Sequence, residues 1–146
     1  MNTINEIFKK YNWPTRISDD SDLLGIEREF RSELPEDYKE FISNYAGCEI
    51  QMGEEYIKLW DKDNLLSLNQ KYEIFENLLE TIGIGDNGSG ELIAIEKRND
   101  GGLRIILTPF IDLDKQNHIE IGKSFTDFLV KLDKGEKWFK DIEKDS

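Results

Sequence analysis

The chain has 146 residues, with 31 Asp and Glu against 19 Lys and Arg, a formal net charge of −12, and 38% hydrophobic residues. That length suits a single domain over residues 1–146, large enough to bury a core without disulfides or metal. The charge repels nucleic acid, whose binding depends on Lys and Arg, and no apolar run approaches the ~20 residues that a bilayer requires.

Ile4, Ile7, Phe8 and Tyr11 fall at helical spacing and predict a first helix that Pro14 ends. Ser18-Asp19-Asp20-Ser21-Asp22 reads as a turn rich in N-cap residues. Leu23, Ile26 and Phe30 mark a second helix. Leu34-Pro35 restarts the chain, with Pro35 suited to the first position of a third helix and Glu36 and Asp37 to its positive end. Tyr38, Phe41, Ile42 and Tyr45 form its apolar face, and Gly47 suits a left-handed stop. The texture then changes. Glu49–Met52 and Tyr56–Trp60 flank Gly53 as a hairpin. Asp61 to Tyr72 reads as a helix capped by Asp61 or Asp63, with Leu65, Leu68 and Tyr72 on one face. Leu78–Ile84, Leu92–Glu96 and Leu103–Leu107 read as strands, separated by the turn residues Gly85–Gly90 and Asn99–Gly102, with Pro109 breaking the run. Ile119 and Ile121 mark one more short strand. Ser124 and Asp127 approximate a capping box for a last helix that buries Phe125, Phe128, Leu129 and Leu132 and stops at Gly135. Helices, then a strand-rich middle, then a helix predict an α+β fold whose central sheet is mostly antiparallel, with helices packed against it.

Gly25-Ile26-Glu27-Arg28-Glu29-Phe30, Leu34-Pro35 through Ile42, Tyr45-Ala46-Gly47, Ile57-Lys58-Leu59-Trp60, Leu68-Asn69-Gln70-Lys71-Tyr72, Ile82 through Glu91, and Gly122 through Leu129 follow one another in an order that resembles the SUKH superfamily. The resemblance spans residues 23–132. It implies an α+β scaffold that works by binding other proteins. Members include bacterial immunity proteins that neutralise toxin domains, often nucleases, and a fungal regulator of cell-wall synthesis. The matching residues read as apolar anchors, caps and turn glycines, with no catalytic motif among them.

Motifs that suggest chemistry fail on context. Gly83-x-Gly85-x-x-Gly88 fits the dinucleotide fingerprint in letters, but a strand follows where that fingerprint needs a helix. Asp86-Asn87-Gly88-Ser89-Gly90-Glu91 suggests a calcium loop, yet position twelve counted from Asp86 is Lys97. His118 and Cys48 are the single histidine and cysteine. His118 reads as a bystander in a polar turn and Cys48 as a small buried hydrophobe. No catalytic residue, metal or cofactor is therefore expected. Trp60 reads as core, Trp13 as cover for one edge, and Trp138 as a binding anchor or a flap on the last helix. The N-terminus lacks the pattern of a signal peptide, and one cysteine cannot form an internal disulfide, so a reducing, cytoplasmic address is expected.

Six acids and no Lys or Arg lie between Tyr72 and Glu96. Such a field attracts basic partners. The expected role is an immunity protein that occludes a cognate, basic toxin domain, with no nucleic-acid or membrane partner. The alternatives are a regulatory interaction module of the same fold with no toxin, and a small-ligand binder or enzyme. If the two hairpins share one edge of the sheet, Glu49, Glu54, Glu55, Asp61, Asp63, Asp86 and Glu91 form one partner-facing patch.

Overall fold

The computed structural model describes residues 3–16 and 23–139, so the Ser18–Asp22 turn and the end of the lysine-rich tail lie outside the described residues. Helices α1 (Thr3–Lys10), α2 (Leu23–Phe30) and α3 (Glu36–Asn44) lead into a hairpin of β1 (Cys48–Met52) and β2 (Glu55–Leu59). Helix α4 (Lys62–Lys71) and the single turn α5 (Ile74–Asn77) precede β3 (Thr81–Asp86), β4 (Glu91–Lys97), β5 (Leu103–Pro109), β6 (Ile119–Gly122) and α6 (Phe125–Asp133). The six strands form one sheet in the order of the chain, and every neighbouring pair is antiparallel. The fold is α+β.

Register explains why the central strands are apolar through their middles. Ile82, Ile95, Ile105 and Gly122 pair in one row, and a Cβ at Gly122 would press on Phe128 of α6. Gly83, Ala94 and Ile106 form the next row, and a Cβ at Gly83 would meet Ile74 of α5 and the Trp60 ring. Alternate residues face opposite sides of a strand. Hence α6, with α1 and α3 against it, covers one face, and α4 and α5 cover the other. Strands buried on both faces need continuous hydrophobic runs.

On the α6 face, Phe8, Tyr38, Phe41, Tyr45, Phe125 and Phe128 pack ring against ring, with centroids 4.6–6.2 Å apart. Asp37 fixes the helices around them. One carboxylate oxygen accepts the Tyr38 N–H at the start of α3, and the other accepts both the N–H and the hydroxyl of Thr126 in α6. On the α4 face, Asn69 is fully buried. Its Oδ1 accepts the Gly83 N–H at 2.7 Å, and its Nδ2 donates to the Gly83 and Leu65 carbonyls at 3.0 and 2.8 Å. Strand β2 pairs with β3 only at Lys58 and Leu59. The Asn69 carboxamide supplies hydrogen bonds to β3 where no strand runs alongside.

Five local expectations need correction. Pro35 is the N-cap of α3, not its first helical residue. Gly47 is not left-handed, since α3 ends at Tyr45 in extended backbone. A Cβ at Gly47 would lie 2.5 Å from the Asp61 backbone nitrogen, so close approach explains the glycine. Leu78 caps α5 and the strand begins only at Thr81, because the chain first turns through left-handed Glu73 and Glu80. Cys48 is half-buried, not buried. The His118 side chain is 1% exposed, with Nδ1 2.9 Å from Glu96 Oε2, while Arg104 Nε donates to Glu96 Oε1 at 2.7 Å. The loop before β6 folds back over the α5 face, so a residue in a polar turn is sealed against a buried carboxylate. Three other local readings agree. Asp61 caps α4 by accepting the Asp63 N–H. Ser124 caps α6 by accepting the Asp127 N–H, although Asp127 bonds the Lys123 N–H, one residue upstream of the box position. Trp138 lies against Phe128, with ring centroids 6.4 Å apart and planes at 16°, as a flap on α6.

Truncating Tyr38, Phe41, Trp60 or Phe128 to Ala, each at most 3% exposed, is expected to cost about 3–5 kcal/mol in urea unfolding. Asn69→Ala strands a buried N–H and a buried C=O, and should cost about 3 kcal/mol. Burial pushes the His118 pKa below the ordinary imidazole value of 6.5, outweighing the Glu96 carboxylate. The unfolded chain therefore takes up a proton first as pH falls. Stability should drop from pH 6.5 downward until the folded-state pKa is passed. Urea midpoints for wild type and His118→Gln should converge across that window, and parallel curves would show that His118 is not the titrating group.

Candidate partner-binding surface

Helix α4 covers β3 but not the hairpin beyond it. The outward face of β1 and β2, which carries Glu49, Gln51, Tyr56 and Lys58, is left beside α4 as an open shelf. A groove of about 460 Å³ runs along the junction, lined by Glu49 and Lys58 from the hairpin, Asn64, Ser67 and Leu68 from α4, and Trp60 and Asp61 between them.

The register sorts the seven predicted acids. Glu49 pairs with Lys58, which pairs with Asp86. Glu91 stands across the β3–β4 turn, where the Asn87 Nδ2 donates to its Oε1. Asp61 and Asp63 begin α4, directly after β2. These five lie at one end of the sheet, but Glu91, next to Asp86's partner Leu92, points to the opposite face. Glu54 and Glu55 lie at the other end of the hairpin, about three residues or 10 Å along the strand. Glu55 also points to the opposite face, where it accepts the Trp138 N–H at 2.9 Å. The structure thus brings Glu49, Asp61, Asp63 and Asp86 to one end of the sheet and leaves Glu54, Glu55 and Glu91 apart, Glu91 because it alternates with Leu92 and faces away from Asp86.

Several of these carboxylates already have work inside the fold. Asp61 accepts the N–H groups of Gly47 and Asp63 and the Arg16 guanidinium, each at 3.0 Å. Burial alone raises its pKa, but those donors outweigh burial and hold the carboxyl below the usual range. Asp86 accepts the Trp60 indole N–H at 3.0 Å through one oxygen and the Gly88 N–H at 2.9 Å through the other. The Tyr56 hydroxyl donates to Glu49, which pushes the phenol pKa up to about 12, and a Cβ at Gly88 would lie 3.1 Å from the Tyr56 ring. Lys58 reaches Glu49 at 4.0 Å and is half-exposed. Asp63 is mostly exposed, with Arg16 at 3.3 Å. Burial raises the Cys48 thiol pKa, so the groove's one thiol is held protonated.

Sequence reasoning missed an aromatic ladder at the same end. Trp60 stacks on Tyr72 with centroids 6.1 Å apart, and Tyr72 meets Phe110 at 4.8 Å. Tyr72 lies one turn beyond Leu68 on α4, which was the available signal. Phe110, placed after Pro109 at the end of β5, carried none.

Among the described residues, no group of three His, Cys, Asp or Glu is placed to hold a metal ion, and no helix is long and apolar enough to cross a membrane. The family model described as SMI1 / KNR4 family (SUKH-1) matches residues 18–131. The chain belongs to that family. Comparison with curated proteins returned no match. This SUKH-1 chain therefore presents an open groove floored by an indole and bordered by carboxylates.

Reversing Glu54, Glu55 and Asp86 to Lys together should destabilise the fold, because Glu55 and Asp86 each hold a backbone N–H and Asp86 holds the indole. Asp86→Ala should cost about 1–3 kcal/mol through the stranded Trp60 N–H. Glu49→Gln with Asp63→Asn should leave the unfolding midpoint almost unchanged, since exposed charges contribute little. Urea unfolding of the two variants side by side checks the contrast.

Proposed function

We propose that this protein is an immunity protein that binds a cognate toxin domain, a basic nuclease, and blocks it by occlusion. The observation that carries the reading is the meeting of Glu49, Asp61, Asp63 and Asp86 at one end of the sheet beside an open groove. A nuclease must present Lys and Arg to hold phosphates. Carboxylates fixed by a rigid fold compete for those side chains, and the net charge of −12 speeds the encounter. Membership of the family supports a binding scaffold, and a cytoplasmic address is where an incoming toxin is met. On this reading the protein is not an enzyme and needs no cofactor. The same surface also suits a regulatory module of this fold with a basic partner that is not a toxin.

Co-expression with the product of the neighbouring gene separates these roles. Rescue of growth from a toxic neighbour supports immunity, and a non-toxic, tightly bound neighbour supports the regulatory module. The on-rate for the partner should fall steeply with salt, because steering between exposed charges is screened beyond about 8 Å at physiological ionic strength. Glu49→Gln with Asp63→Asn should slow association severalfold at low salt, as read by stopped-flow mixing. An on-rate indifferent to salt and to both substitutions removes the electrostatic case.

A further inference from the structure

The aromatic ladder reaches the surface at its middle ring. Trp60 is buried, Phe110 is half-buried, and Tyr72, between them, is 38% exposed. A ring fixed by two neighbours that still turns part of its area to solvent is a natural contact for a partner. Its ring face already holds a cation, since Lys71 Nζ of the same helix lies 5.5 Å from the Tyr72 centroid. Lys71 is exposed, so this ammonium is free to swing away.

The surroundings of the ring favour positive charge. Glu73 follows Tyr72 directly and is exposed. Asp86 reaches the same ladder through the Trp60 indole, and each of its oxygens spends one hydrogen bond within the protein. An ionised carboxylate accepts about four, so Asp86 keeps capacity for a donor. An aromatic face with such a carboxylate one ring away, on the Trp60 indole, matches a guanidinium better than an ammonium. The guanidinium stacks through its plane and donates through its edge, whereas the ammonium is a hydrated point charge.

We infer that Tyr72, backed by Trp60 and Phe110, is the docking point for an arginine side chain of the basic partner, which displaces Lys71, stacks on the ring and donates to Asp86. This inference rests on the proposed function and deepens it. The acids raise the rate of encounter, and the ladder selects arginine over lysine at one position.

The test uses the full chain and two probes, N-acetyl-arginine methylamide and N-acetyl-lysine methylamide, titrated while the Tyr72 and Phe110 ring protons are followed by NMR. The arginine probe should shift those protons and bind at least about threefold more tightly than the lysine probe. Tyr72→Phe should keep the preference, because the ring face is retained, and Tyr72→Leu should lose it. Lys71→Ala should tighten the arginine probe about twofold by removing the resident cation. If Tyr72→Leu does not fold, the Lys71→Ala result decides. Equal binding of the two probes, a preference that survives Tyr72→Leu, shifts confined to other residues, or no gain from Lys71→Ala overturns the inference. The inference and the function fail separately. A cognate toxin bound equally well by wild type and Tyr72→Leu refutes the ladder's role and leaves immunity standing. An arginine-selective ladder in a protein with no basic partner refutes the function alone.

Discussion

The arrangement of the binding surface depends on one carboxamide. Asn69 sits on a helix, yet it serves the Gly83 backbone of β3 as a neighbouring strand would. Because its bonds go to one peptide position, they fix both the rotation of α4 about its axis and its height above the sheet. Gly83 completes the fit, since any Cβ there would collide with Ile74, Leu92 and the Trp60 ring at 2.9–3.0 Å. With α4 fixed, Asp61 at its start meets Gly47 and Arg16, and Tyr72 at its end meets Trp60 and Phe110. A buried polar group is costly unless fully bonded. Here both ends of the carboxamide are bonded, so the penalty is avoided and the registration is kept.

Most of the fold was legible because its signals are local. Helical spacing located α1, α2, α3, α4 and α6, and glycine-rich turns located the three hairpins. The misplacements arose where tertiary contact overrules local chemistry. Gly47 is small because a distant helix start presses on it, not because its backbone is left-handed. His118 is buried because a loop returns across the sheet to reach Glu96, a partner 22 residues away in the chain. In the candidate surface, alternation along β1 and β2 was readable in principle. It places Glu49 and Glu55 on opposite faces, and charge counting alone passed over that. Phe110 joins Tyr72 only through the order of the strands, which the sequence does not spell out.

The acids at the groove divide into two kinds, and the division governs what a partner meets. Asp61 and Asp86 are held by donors within the protein and cannot move to suit a ligand. That rigidity favours tight binding, because no side-chain freedom is lost when a partner arrives. Glu49 and Asp63 are more exposed: Glu49 accepts the Tyr56 hydroxyl and has Lys58 at 4.0 Å, and Asp63 has Arg16 at 3.3 Å. Their contribution is to the field, and so to the rate of encounter. Lys58 stands between Glu49 and Asp86 in the cross-strand row and offsets part of that field. A basic partner therefore competes with a cation already in place.

This division also constrains how such a surface can change. Substitution of Asp61 or Asp86 disturbs a helix cap or a buried indole, so the fold resists it. Substitution at Glu49, Lys58, Asp63 or Lys71 touches side chains whose pairings are long or solvent-exposed, and costs the fold little. Because α4 leaves the hairpin face uncovered, Glu49 and Lys58 line the open groove, Asp63 stands at the start of α4, and Lys71 stands beside Tyr72. A scaffold built this way can alter which basic surface it accepts while its core stays unchanged. The groove floor and the aromatic ladder supply a fixed anchor, and the exposed charges around them set the preference.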